Sequence, residues 1–115
     1  MSIYTVTASA RATSGPFTLQ SAATTGDGNV IQTNGKAKEA WFIVEFSSGV
    51  TAGEVAIEAA ASADYSGDWA TLATIGFVDG GTYLVQRPGG GMAYRARIST
   101  TIVDGSVTVY AGCVL

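Results

Sequence analysis

From residue 26 onward the chain is punctuated at short intervals by glycine-centred clusters: GDGN, TNGK, SSG, SGD, VDGG, RPGGG and VDG. Each sets glycine beside Asp, Asn, Ser or Pro. Those residues reverse a chain by admitting positive φ, by fixing φ, or by bonding a side chain back to the backbone. Such spacing leaves no room for a helix of ordinary length. The runs between the clusters are β-rich: Asn29–Thr33, Ala40–Phe46, Glu54–Ala60, Trp69–Ile75, Thr82–Arg87, Met92–Thr100 and Ser106–Gly112. Short strands at intervals of about ten residues predict a sandwich or a barrel. EAAASAD tolerates helix in composition, but it continues an alternating run and is too short to stand alone.

Alternation assigns the faces of these strands. Phe42, Val44 and Phe46 share one face, and Trp41, Ile43 and Glu45 the other, so this strand is expected to be central and covered on both sides. Val55 and Ile57 should point inward, with Glu54, Ala56 and Glu58 outward. Tyr94, Ala96 and Ile98 oppose Arg95 and Arg97; Val107 and Val109 oppose Ser106, Thr108 and Tyr110. Glu54 and Glu58 on one outward face and Arg95 and Arg97 on another invite cross-strand pairing. One reading is exposed ion pairs worth ~0.2–1 kcal/mol each. The other is complementary patches for a neighbouring subunit.

Residues 1–29 differ from the rest. They carry only two charges, Arg11 and Asp27, and beyond the short strand candidates IYTV and PFTLQ they are small, polar and weakly patterned. Alone, such a segment buries too little surface to offset its ordering entropy. It is expected to be an extended arm with edge strands that orders against the domain (residues 30–115) or a neighbouring chain. Charged residues make up 13% of the chain, against ~25% in ordinary soluble domains. A surface that poor in charge points to protein contacts, because interface cores are depleted of charge. Net charge is −3, which argues against nucleic-acid binding through phosphates. No apolar run approaches the ~20 residues of a membrane-spanning helix, and MSIYTVTASARATSG has no secretory h-region. Cys113, with no second cysteine to pair with, is expected as a buried reduced thiol.

Catalytic chemistry is restricted by the absence of histidine, which removes His-based acid–base catalysis, Ser-His-Asp and Cys-His nucleophiles, and His metal sites. PGGGM lacks the Lys-Ser/Thr of a phosphate loop. A carboxylate pair drawn from Glu45, Glu54, Glu58, Asp64 and Asp68 would need a deep cleft, which short loops rarely build. DYSGD supplies two carboxylates, too few for a calcium site, and matches no EF-hand spacing. Its neighbours Tyr65 and Trp69 form either a sugar-stacking platform or plain structure. In the second case Trp69 packs inward with Leu72 nearby and Tyr65 caps the turn. No enzyme activity, cofactor or metal is expected.

The order of features between residues 41 and 112 resembles a β-sandwich pattern in structural proteins of tailed bacteriophages. The carrying residues are Phe42–Phe46; Gly53, Val55, Ile57 and Glu58; Asp64, Gly67, Trp69 and Leu72; Tyr94, Arg95 and Arg97; and Val107 to Tyr110. Here the gap between Glu58 and Asp64 is longer than in the pattern's tight form, and its Asp-Gly turn is opened to DYSGD. The resemblance implies a virion protein, closest in length to a capsid decoration (cement) protein of the head surface, made in the bacterial cytoplasm. It would bind the major capsid protein, often as a dimer or trimer, without nucleic acid or membrane. The alternative is a carbohydrate-binding module of a tail, baseplate or head fibre. The expected fold is all-β, an antiparallel, jelly-roll-like β-sandwich with an extended N-terminal arm. Its candidate subunit-contact residues are Ile3, Tyr4, Arg11, Phe17, Tyr65, Arg95 and Arg97.

Overall fold

Among the described residues, nine strands stack as two sheets. The computed structural model describes residues 2–6, 13–33, 37–88 and 93–115. Along the chain the strands are β1 (Ile3–Thr5), β2 (Thr13–Ala23), β3 (Val30–Gln32), β4 (Glu39–Phe46), β5 (Ala52–Ala60), β6 (Ala70–Gly76), β7 (Thr82–Pro88), β8 (Ala93–Val103) and β9 (Val107–Val114). One sheet runs β1-β3-β8-β5-β6 and the other β2-β9-β4-β7. Strands β2 to β9 thus divide as 2-9-4-7 over 3-8-5-6, the strand order of a jelly roll. The remaining strand, β1, adds parallel to β3 at the edge. Every other pairing is antiparallel.

The core lies between the sheets and follows the alternation of the sequence. Phe42, Val44 and Phe46 of β4, with Val107 and Val109 beside them on β9, face Val55 and Ile57 of β5 and Tyr94, Ala96 and Ile98 of β8, all buried in one cluster. Fully burying side chains of this size contributes roughly 1.5–3 kcal/mol each. The Phe42 and Tyr94 rings meet at 6.0 Å with planes tilted by 57°, an arrangement favoured by the ring quadrupoles. Cys113 is fully buried in the same cluster, and desolvation pushes its thiol pKa upward.

Residues of the first 29 are built into both sheets. β1 lies beside β3, and the eleven residues of β2 pair along β9 with three register shifts. Gln20 on β2 is buried, and its Nε2 donates to the carbonyls of Gly26 (3.1 Å) and Ala96 (2.8 Å), tying one sheet to the other. Gly28 lies beneath this bond at φ +72°, where a Cβ would stand 2.3 Å from the Leu19 carbonyl oxygen.

Three of the turns bind one another at one end of the sandwich. The Gly49 N–H donates to Asp79, the Thr51 hydroxyl to Asp104 (2.7 Å), and the Ser106 N–H to the Ser47 hydroxyl (2.9 Å). Here Asp and Ser are turn chemistry that satisfies backbone donors in neighbouring loops.

Candidate interaction surfaces

On the outer face of the five-stranded sheet, register sets Glu58 opposite Arg95, with Arg97 next along β8 on the same face. The Glu58 side chain is 4% exposed. Arg95 Nε donates to its Oε1 at 2.8 Å, and Arg97 Nε reaches both oxygens at 3.2 Å. Arg95 also lies 3.6 Å from Asp27, so the β2–β3 connection is drawn to the same cluster. The cross-strand pairing anticipated from the sequence therefore forms at Glu58, while Glu54 bonds Ser99 and no arginine among the described residues, and the pairs at Glu58 are not exposed: Glu58 and its neighbour Ala56 are buried on the nominally outward face. The two arginines lie over Glu58, and a loop covers the part of the face around Arg95. Residues 61–69 fold back over this face, and Trp69 lays its ring 4.3 Å from the Arg95 guanidinium carbon.

Trp69 accordingly does not join the main core beside Leu72. It packs with Val30, Ala63 and Ala93 in a second cluster, flanked by Ala60, while Leu72 packs against the main core. Small residues at 60 and 93 leave a depression that an indole fills, and the flat guanidinium beneath it supplies a cation–π partner. Trp69 Nε1 donates to the Tyr65 carbonyl at 3.0 Å, which closes the loop on itself. Tyr65 is exposed, with its ring over Gly67, and Asp64 and Asp68 are exposed beside it. With Trp69 buried under the loop, the two aromatics present no common stacking platform.

The remaining sequence candidates lie elsewhere. Tyr4 and Phe17 stack at 5.1 Å between ring centroids, joining β1 to β2, and both are half-buried. Ile3 is exposed on β1, and Arg11 lies outside the described residues. The carboxylates are dispersed. Glu45 is on the four-stranded sheet, Glu54 accepts from the Ser99 hydroxyl at 2.7 Å, and Glu58 is held by its arginines. Among the described residues no group of three or more His, Cys, Asp or Glu is placed to hold a metal, and no helix is long and apolar enough to cross a membrane.

Sequence reasoning missed the outer face of the four-stranded sheet. Pairing aligns Thr18, Tyr110, Ile43 and Leu84 in one row across β2, β9, β4 and β7, and Gly112, Trp41 and Gln86 in the next. Strand β4 is central within its sheet, as expected, but this face is not covered: Trp41, Ile43 and Tyr110 are half-exposed and Leu84 is 61% exposed. The apolar alternation of β4 was the available signal, and two-sided burial explained it equally well. The rows on either side carry the carboxylates of Glu45 and Glu39.

No protein-family model matches the chain, and no curated protein does. The fold is similar to a solved one. That structure is the crystal structure of the SPBc2 prophage-derived protein YomS, at a TM-score of 0.58 and 19% identity, covering 96% of this chain and 99% of that one. The likeness extends to the whole sandwich, not to one sheet.

Proposed function

We propose that this chain is a non-enzymatic structural protein of a tailed-phage particle, a decoration protein that binds the major capsid protein on the outer head surface and bridges neighbouring subunits. The observation that carries the reading is the fold likeness to a prophage-derived protein along nearly the full length of both chains. Two features support it. Charged residues are few, and the outer face of the four-stranded sheet offers Trp41, Ile43, Tyr110 and Leu84 beside two carboxylates. Such a face fits a partner surface that is apolar at its centre and basic at its rim.

The mechanism is mechanical. Burying this face across a joint between capsid subunits adds interface free energy that opposes separation of the subunits as packaged DNA presses outward. A specific contact of this kind should exceed ~1,000 Å² of total buried area. Arg95 contributes by holding the Trp69 loop, and Arg97 by sharing Glu58 with it.

The test compares phage particles with and without the protein. Complete heads should retain DNA to higher temperature, and quantitative mass spectrometry should find tens to hundreds of copies per particle. Heads lacking the protein that resist heat and pressure equally well would defeat the reading. A handful of copies per particle, with glycan-array signal lost in Tyr65→Ala, would transfer the function to a carbohydrate-binding module.

A further inference from the structure

We infer that the free edge of β7 is a self-association surface, at which a second copy of this chain pairs antiparallel with Thr82–Gln86 about a two-fold axis through Leu84. The two four-stranded sheets then become one eight-stranded sheet. The inference does not rest on the capsid reading.

The four sheet edges differ in how they are closed. An open edge invites pairing with another chain, and proteins block it with short strands, bulges, charge or proline. β1 is three residues long. β2 is interrupted by three register shifts and contains Pro16. β6 shifts register against β5 around Leu72, and the Leu72 carbonyl accepts from Arg87 Nε at 3.3 Å. β7 alone runs straight: seven consecutive residues pair with β4 without a shift. Its stretch TYLVQ has no charge and no proline, and the blocking residues Arg87 and Pro88 stand at its far end.

The direction of the free backbone groups follows from the ladder. The Phe46 N–H donates to the Gly81 carbonyl, so odd-numbered residues of β7 bond toward β4. Thr82, Leu84 and Gln86 therefore aim their N–H and C=O groups away from it. Arg87 Nη1 covers the Gln86 carbonyl at 2.7 Å, while the groups of Thr82 and Leu84 and the Gln86 N–H have no partner among the described residues. Antiparallel pairing through Leu84 matches Leu84 with Leu84 of the second copy and Thr82 with its Gln86. Leu84 then exchanges both bonds with its counterpart, the Gln86 N–H meets the Thr82 carbonyl, and the Thr82 N–H shares the Gln86 carbonyl, which has two lone pairs, with Arg87.

Charge selects a second copy for this edge and not for the adjoining sheet face. Across the two-fold the two Arg87 residues are six positions apart, about 20 Å at ~3.3 Å per residue, beyond the ~8 Å screening length. Packing the outer faces together would instead oppose Glu39 and Glu45 with their own copies. Leu84, 61% exposed in the single chain, is covered by its counterpart, and Tyr83, 42% exposed, meets Val85 of the second copy.

The test is the mass of the full chain by sedimentation velocity and light scattering near ~100 μM, a concentration at which a standard-size interface is occupied. The wild type should run at twice the 11.7 kDa chain mass. Leu84→Lys should halve it, and so should Leu84→Glu. Mixing these two variants should restore the doubled mass, because opposite charges then meet across the axis. Ile3→Lys, at the opposite edge, should leave the dimer intact. In wild-type hydrogen exchange the Thr82, Leu84 and Gln86 amides should slow about tenfold or more between dilute and concentrated samples. A monomeric wild type, a dimer that survives Leu84→Lys, a mixture that stays monomeric, loss of the dimer in Ile3→Lys, or concentration-independent exchange at those amides would each overturn the inference.

Discussion

At the residue scale, Glu58 is the group on which most charge depends. It is buried, it faces two arginines, and the neutral amide of Glu58→Gln would leave Arg97 without its counter-ion and Arg95 with only the exposed Asp27. The expected loss is about 2–3 kcal/mol in urea unfolding, below the ~3–5 kcal/mol of fully buried pairs because Arg97 remains 37% exposed to water. A midpoint unchanged from wild type would show that the loop, and not the ion pairs, holds this face. Cys113 makes a different prediction. Burial raises its thiol pKa in the folded chain, so the folded state retains a proton that the unfolded state has lost. Its contribution is complete below an ordinary thiol pKa of about 8.5 and falls away as pH rises through the higher folded value. Unfolding free energy should therefore decline in alkali. The decline should be shallower in Cys113→Ala, and the native thiol should resist alkylation at neutral pH.

At the scale of elements, the loop between β5 and β6 behaves as a cover whose latch is Trp69. Truncation by Trp69→Ala removes the indole from its alanine-lined depression, the bond to the Tyr65 carbonyl and the contact with Arg95. Loss of about 3–5 kcal/mol is the usual range for such a truncation. Limited proteolysis should then cut between residues 61 and 68 faster than in the wild type. Tyr65→Ala, an exposed change, should leave both rates and stability nearly unaltered. Equal cleavage of wild type and Trp69→Ala would mean that the loop is held by something other than its tryptophan.

For the whole molecule, the two outer faces of the sandwich differ in kind. One is closed by its own loop and ion pairs; the other leaves aromatic and aliphatic side chains half-exposed. Ile43→Lys should separate folding from assembly, because the lysine stem can lie along the sheet while its ammonium group reaches water. Circular dichroism and the thermal midpoint should stay close to wild type, while occupancy on phage heads falls. Full occupancy of the variant on particles would remove this face from the docking surface.

The sequence by itself determined the strands from β3 to β9 and, for β4, β5, β8 and β9, the side that faces the core, because a period-two pattern between glycine turns has few other solutions. Phe42, Val55, Tyr94 and Val107 are buried where alternation sets them. The stretch DYSGDW was legible as a turn, and Asp64 and Asp68 remain turn residues on the surface. What only the tertiary structure decided was which outward face is covered. Trp69 went outward over Arg95 because a depression formed by Ala60 and Ala93, on strands far apart in sequence, exists only once β5 and β8 pair. Trp41 and Ile43 stayed half-exposed because no loop among the described residues packs over their face. Alternation records that a residue is apolar and which way it points. It does not record whether another segment arrives to cover it, since that depends on strand order, which local pattern leaves free.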